Sequence, residues 1–497
     1  MSSSQPAVSE SQFPGAGIAG RDFEEFLAAF PGYRATTKID HIRRTEYERL
    51  DRLGHVYLDY TGAGLYAASQ VERHREFLLN RVLGNPHSEN PTSRDASGLV
   101  EEARAAVLRY FNADQREYGV IFTANATGAL KLVGESFPFE PGGRYLLTYD
   151  NHNSVNGIRQ FAREGGAAVT YLPVFAPELR VDADGVAREL DRIEGGRPRL
   201  FAFPAQSNFS GVQHPLEWVS WARQRGWHVI LDAAAFAPTN RLDLRLVNPD
   251  FVPLSFYKMF GYPTGIGALV YRHDALRALR RPWFAGGTIT LASVQSEDWH
   301  RLAEGHAGFE DGTVDFLGLP AVTIGLDHLE SVGVETIHAR VMALTGWVLT
   351  RLTAMRHSDG SPMARVFGPA DLTQRGGTIA FYLLAPDGAP YDVGVIQGDA
   401  SRAGLSVRTG CFCNPGDGEV AHGISREDMA KCFGRSSVAV TFEDCAETLR
   451  ASTGKTPNTM RVSFGIASDF ADAAALIAFA ERYRDVAADT ATGVPRR

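Results

Sequence analysis

Cysteine is scarce in this chain: Cys411, Cys413, Cys432 and Cys445 are the only four among 497 residues. Four thiols in a chain of that length do not make a disulfide framework, and their scarcity points to a reducing, cytoplasmic setting. Long apolar runs are missing too. None approaches the roughly twenty residues that span a bilayer, which argues against a membrane protein. There is no basic excess: 50 Lys and Arg face 58 Asp and Glu, a formal net charge of -8, which argues against a nucleic-acid-binding surface. The first twenty residues lack the basic start and apolar core of a signal peptide. Being rich in Ser, Gly, Ala and Pro, residues 1–20 read as a disordered leader. No internal repeat is visible. What is present is ordinary globular material, 44% hydrophobic and 22% charged, with enough chain for two or three domains.

A helical segment, residues 21–54, leads into the body. From Gly119 onward strands and helices alternate, with apolar, β-rich stretches at 119–123, 144–148, 167–172, 199–203, 228–231, 251–255 and 266–271. Nearly continuous apolar strands separated by helices predict a mainly parallel seven-stranded sheet covered on both faces, an α/β fold. The pattern changes after about Pro320. Helices at 321–332 and 336–355 precede strands at 378–384, 405–408 and 460–464 and a closing helix at 468–486, which predicts a smaller α+β C-terminal domain. The expected division is a large domain at 55–320, a small one at 321–486 and a tail at 487–497.

Several residues at strand ends have chemistry to offer, and open α/β sheets place their sites at the carboxyl edge. Ala126-Thr127-Gly128 lies between a strand and a helix, where free N–H groups and the helix dipole hold a phosphate; an ordinary helix cap would look the same. His152 follows another strand. Asp232 ends an apolar strand before three alanines, suited either to hold a buried ring nitrogen protonated or to cap the next helix. Lys258 follows the strand 251–255 on an expected loop closed by Gly261, Pro263 and Gly265. Desolvated, its amine would lose its proton and condense with an aldehyde; otherwise it is a solvated loop lysine.

Farther on, Val407-Arg408-Thr409-Gly410-Cys411-Phe412-Cys413-Asn414-Pro415-Gly416 places two thiols in one Gly/Pro-bounded loop. Buried core, a metal half-site and a reactive thiol are the three readings. Cys432 and Cys445 stand alone and supply no second cluster, so no metal is expected. A mobile loop with an arginine nearby favours the reactive thiol, since only the thiolate attacks. Arg461, in an apolar strand, is suited to fork onto a carboxylate or to form a surface salt bridge.

Taken in order, Thr127, His152, Asp232 and Lys258 resemble the set found in fold-type-I pyridoxal 5′-phosphate enzymes. With the strings 57–63, 84–88, 150–155, 203–211, 254–265, 408–416 and 461–465, the chain resembles the class V aminotransferase group. Within it, the likeness is greatest to the cysteine-desulfurase-like domain of molybdenum cofactor sulfurases. The resemblance implies a fold-type-I transferase in which Lys258 forms the internal aldimine, His152 stacks on the pyridine ring and shuttles protons, and Asp232 binds the ring nitrogen. It implies that Asn208 meets the ring hydroxyl and that Ala126, Thr127 and Ser255 contact the phosphate. Tyr257 stands where many relatives have histidine, and Thr288 lies in a segment that reaches a partner subunit's phosphate. Arg461, with Ala63 in the small-residue loop, would bind substrate. Cys413 corresponds to the persulfide carrier, with Cys411 the runner-up. The implied reaction takes sulfur from L-cysteine, leaves alanine and passes the persulfide to an acceptor such as molybdenum cofactor, in a homodimer. The alternative is a class V aminotransferase or C–S lyase that does not use the loop cysteines. Two departures stand out. Eukaryotic-type sulfurases continue into a cofactor-binding domain, whereas this sequence ends soon after the desulfurase part, leaving the acceptor to a separate protein or another pathway. Relatives often continue the loop as Asn-Pro-Gly-Ala-Cys, whereas Gly416-Asp417-Gly418 stands here.

Overall fold

The computed structural model describes residues 19–192, 196–434 and 441–488. The expected leader, apart from its last two residues, and most of the expected tail lie outside the described residues. Seven strands form the principal sheet: β1 (Tyr118–Thr123), β2 (Arg144–Thr148), β3 (Ala168–Leu172), β4 (Arg199–Pro204), β5 (His228–Asp232), β6 (Phe251–Ser255) and β7 (Gly267–Arg272). Their order is β1-β7-β6-β5-β4-β2-β3. Six run parallel and β7 alone is antiparallel to both neighbours. Leu146, Leu147, Phe201, Phe203, Val229, Ile230 and Leu231 are all fully buried. Adjacent residues on a strand face opposite ways, so burial of both kinds means helices cover both faces, as the unbroken apolar runs require.

A second, antiparallel sheet has the order β8-β9-β11-β10, from β8 (Ala364–Phe367), β9 (Thr378–Leu383), β10 (Arg408–Gly410) and β11 (Thr459–Ser463). Strand β8, four residues long with Arg365 exposed, lies on a half-exposed edge and is too short to have a sequence signature of its own. The expected strand at 405–408 divides. Leu405–Ser406 pairs in parallel with Val56–Tyr57, and the chain then crosses to β10. The N-terminal helix Ala19–Ala29 and the turn of 3-10 helix after it pack on two long helices. Phe26 lies between Tyr33 and Phe470, and Trp347 rests on Phe470. Fully buried Arg340 donates to Thr36, Tyr33 and Asp40, tying the segment to the body.

The reading of Cys432 and Cys445 as solitary is corrected. The helices Arg426–Phe433 and Phe442–Thr453 lie side by side, and the two cysteines are disulfide-bonded with Cα atoms 5.1 Å apart. Helical periodicity put each on the apolar face shared with Ile424 and Leu449, a juxtaposition no cysteine spacing announces. Among the described residues no helix is long and apolar enough to cross a membrane.

Candidate functional site

Five strands of the principal sheet end at one edge, and each passes the chain to a segment lining the same cavity of about 150 Å³. From β1 come Asn125, Ala126 and Thr127; from β2, Asp150, His152 and Ser154. From β4 come Gln206 and Asn208; from β5, Asp232; from β6, Ser255, Tyr257 and Lys258. Parallel strands with successive helices on opposite faces leave such a crevice at their carboxyl ends.

Helix α1 (Ala126–Ser136) starts at this edge. The Asn125 side chain caps it by accepting from Gly128 N–H at 3.0 Å, and Ala126 N–H donates to Ser255 Oγ at 2.9 Å. Thr127 N–H has no partner among the described residues, and Thr127 Oγ1 lies 2.8 Å from Ser154 Oγ. An open N–H, two hydroxyls and the positive end of a three-turn helix make an anion cradle. Strand β7 runs directly beneath. A Cβ on Gly267 would lie 2.5 Å from Asn125 Cα and from the Leu254 carbonyl oxygen, so the cradle requires glycine there.

Lys258 is not on a loop as expected. It sits in α2 (Phe256–Phe260), a short helix entered directly from β6. Phe256, Met259 and Phe260 are buried, so winding the segment covers three apolar side chains and turns Lys258 to the cavity. Its amine makes no hydrogen bond or ion pair among the described residues. Burial pushes the Lys258 ammonium below its usual range; Asp232 opposes that shift and Arg461 adds to it. Asp232 is buried, and its Oδ1 accepts from Ala234 N–H at 3.0 Å. It therefore caps a turn while lining the cavity. At the start of the helix Asn153–Asn156, His152 Nδ1 accepts from Ser154 N–H at 3.1 Å. That bond puts the ring proton on Nε2. Burial lowers the His152 pKa, and the charge of Lys258 lowers it further.

The thiol loop lies over the same edge and is tied to it by hydrogen bonds. Cys413 O accepts from Asn153 N–H, and Phe412 O from Asn208 Nδ2, both at 2.7 Å. Asn414 Nδ2 donates to Asp150 O at 2.9 Å and to Asn208 Oδ1 at 3.1 Å. Phe412 and Cys413 are held with φ of 56° and 55°, in the left-handed region that non-glycine residues seldom occupy. Gly416 meets the Tyr149 carbonyl so closely that a Cβ would lie 1.9 Å from its oxygen. The Cys413 side chain is exposed, whereas Cys411 is partly covered and burial raises its thiol pKa.

Arg461 lies on β11 opposite Arg408 on β10. Both reach Asp59: Arg461 Nη2 donates to Oδ1 at 3.0 Å and Arg408 Nε to Oδ2 at 2.9 Å. Arg461 also donates to Asn208 O at 2.9 Å, stands over the Phe412 ring, and keeps Nε buried without a partner. The surface-salt-bridge reading is thereby replaced: this guanidinium is 3% exposed and aimed inward. Neither Ala63 nor Thr288 lines the cavity of this chain. The Ala63 carbonyl accepts from Tyr57 Oη, and Thr288 Oγ1 is tied to Ala285 in its own turn. Five residues escaped the sequence reading: Asn125, Asp150, Ser154, Gln206 and Asp59. All but Asn125 lie in the strings noted above, but an amide, a hydroxyl or one carboxylate carries no role until its neighbours are known.

Aminotransferase class-V is the family whose description matches, over residues 56–476. Molybdenum cofactor sulfurase of Solanum lycopersicum is 35% identical over 494 residues, covering 92% of this chain and 59% of that protein. The sulfurase of Homo sapiens is 35% identical over 462 residues, covering 89% and 51%. The chain thus spans between half and three fifths of these relatives. Among solved structures, a cysteine desulfurase from Thermococcus onnurineus NA1 superposes with a TM-score of 0.69 at 23% identity, covering 88% of this chain and 96% of that one. Cysteine desulfurase CsdA of Escherichia coli follows at 0.67 and 21%, covering 90% and 98%. These two likenesses establish the fold, a seven-stranded α/β sheet with helices on both faces. With the family match running from the first strand to the closing helix, the chain belongs to the class-V aminotransferases.

Proposed function

We infer that this chain is a pyridoxal-phosphate-dependent cysteine desulfurase of the molybdenum cofactor sulfurase kind. It would take sulfur from L-cysteine as a persulfide on Cys413, leave alanine, and pass the sulfur to an acceptor such as molybdenum cofactor. One observation carries the reading: a desolvated lysine, a buried carboxylate and a helix-end anion cradle line one cavity, with a thiol loop tied to two of that cavity's loops. The residues fit the cofactor. The free Thr127 N–H, the Thr127 hydroxyl and Ser255 would take its phosphate, Asp232 its ring nitrogen and Asn208 its ring hydroxyl. Tyr257 lines the wall beside the phosphate end. When bound, the cofactor supplies an aldehyde and an electron sink.

The chain's own groups do the rest. Lys258, held toward its neutral form, takes the Cα proton and returns one to the product. Neutral His152 offers a flat ring face and one Nε2 proton. Arg461 receives the substrate carboxylate, and Asp59 keeps that guanidinium oriented. Cys413 is exposed, whereas Cys411 is partly covered and its thiol pKa is raised by burial, so the Cys413 thiolate attacks the substrate sulfur as the Cβ–S bond breaks. The balance closes without an oxidant: thiol plus cysteine gives persulfide plus alanine.

The division into a large domain at 55–320 and a small one at 321–486 belongs to the same reading. So do a homodimer, in which Thr288 serves the neighbouring copy's site, and a cytoplasmic setting. The decisive experiment is incubation with labelled cysteine and mass spectrometry of the peptide spanning Cys411–Cys413. One added sulfur on Cys413, lost in Cys413→Ala and kept in Cys411→Ala, is expected. Undiminished sulfide release by Cys413→Ala would replace the desulfurase reading with a C–S lyase or aminotransferase.

A further inference from the structure

Beneath the thiol loop lies a carboxyl group that none of the chemistry above uses. Asp417, on the helix Pro415–Ala421, has no exposed surface. Its Oδ2 accepts from Ser207 Oγ at 2.5 Å and from Ser210 Oγ at 3.2 Å. Its Oδ1 is buried without a partner. The second carboxyl acting on it is Asp150, which is buried and borders the cavity described above. Its Oδ2 lies 2.7 Å from His214 Nε2, and its Oδ1 is likewise buried and unpaired. Two carboxylates acting on each other out of water disfavour a second charge. Asp150 has the imidazole of His214 as its partner, whereas Asp417 has only hydroxyl and amide donors.

We propose that Asp417 is a positioning residue, a protonated latch that keeps the Cys413 loop seated, and that loss of its proton beside Asp150 unseats the loop. This rests on the desulfurase reading above. Its route to the thiol is short. Asp417 Oδ2 accepts from Asn414 Nδ2 at 3.5 Å and from Ser207 Oγ, which the same amide also reaches, and that amide meets Asp150 O and Asn208, whose own amide holds the Phe412 carbonyl. A proton on Asp417 Oδ1 turns one orphan acceptor into a donor. Burial first, and then the charge of Asp150, holds Asp417 well above the usual carboxyl range, while Ser207 and Ser210 pull the other way. The remaining charged groups nearby are engaged elsewhere. Glu419 on the same helix accepts from Tyr149 Oη at 3.2 Å, and Arg375 gives its donors to the carbonyls of Pro369, Ser210 and Thr378.

The test compares the full chain with Asp417→Asn, which keeps shape and hydrogen bonding but cannot ionise, and with Asp417→Ala, which removes the latch. Alkylation of Cys413 by iodoacetamide is followed by mass spectrometry from mildly acid to alkaline pH. Dividing the wild-type rate by the Asp417→Asn rate cancels the titration of the thiol itself. The ratio is expected to stay near unity at low pH and to rise, above the carboxyl's titration, toward the value that Asp417→Ala gives against Asp417→Asn. Asp417→Ala is expected to react fast throughout. A ratio flat across pH, or an Asp417→Ala rate equal to wild type at neutral pH, overturns the latch; if Asp417→Ala does not fold, the Asp417→Asn ratio alone decides. Persulfide loading from labelled cysteine in the same samples separates the two readings. A wild type that loads no sulfur at any pH defeats the desulfurase assignment, whatever the alkylation ratio shows.

Discussion

Arg408 and Arg461 stand opposite each other on neighbouring strands, an arrangement that repels unless an anion lies between them. Asp59 is that anion, and a Cβ on Gly62 would meet its carboxylate at 2.5 Å. Removing it in Asp59→Ala leaves the buried Arg461 charge with the Asn208 carbonyl as its only oxygen partner among the described residues. A loss of about 3 kcal/mol in unfolding free energy is expected in chemical denaturation. A loss under 1 kcal/mol would mean the guanidinium finds another partner. Lys258 presents the opposite case. Its amine holds nothing in place, so Lys258→Ala is expected to keep the wild-type melting temperature within a few degrees while alanine formation from cysteine falls about 10³-fold. Residual activity near the wild-type rate would move the chemistry elsewhere.

At the scale of elements, the thiol loop and the helix that follows it behave as one docked piece. Gly416 allows that docking by touching the Tyr149 carbonyl. Gly416→Ala must displace the loop, and a shift of about 1 Å is expected to slow Cys413 persulfide formation about 10²-fold while cofactor absorbance is retained. Loss of both together would point to general unfolding instead. At the far end of the same helix, His422 Nδ1 lies 2.7 Å from Tyr382 Oη and Nε2 lies 2.7 Å from Thr459 Oγ1. Burial pulls its pKa from the ordinary 6.5 to about 4. Between those values the unfolded chain binds the proton and the folded chain does not. The stability from neutral His422 is thus present above 6.5 and lost as pH falls to about 4. The loss is about 3 kcal/mol at most. A thermal-unfolding series should lose that part of its acid slope in His422→Gln; an unchanged slope would remove His422 as its cause.

At the scale of the whole molecule, two sheets and an N-terminal clasp meet around one edge. Lys258 borders both the cavity and a smaller space walled by Thr61, Ser463 and Gly465, so the lysine lies where the two sheets come together. The Cys432–Cys445 bond belongs to this scale, because it bears on the setting in which the chain works. If that setting is a reducing cytoplasm, protein purified from cytosol and denatured without reductant should titrate four thiols. Two would show that the bond persists and contradict the placement. The principal sheet was legible strand by strand, because each of its buried strands is a local apolar run. The smaller sheet was only partly so. Strand β8 lacks such a run, and the stretch 405–408 serves two sheets in succession, which periodicity cannot express.

Local pattern alone determined the seven-stranded α/β core, the strand-end lysine and the paired thiols of the loop, because each is written within a dozen consecutive residues. Tertiary structure decided the helix that carries Lys258 and the shared grip of Asp59 on two arginines. It also decided the bond between Cys432 and Cys445 and the carboxyl of Asp417 beside Asp150. Asp59 and Arg461 are separated by 402 residues, yet they meet at 3.0 Å. No side chain announces the neighbour it will acquire by burial, and burial is what turns an ordinary carboxylate into a clamp or a latch.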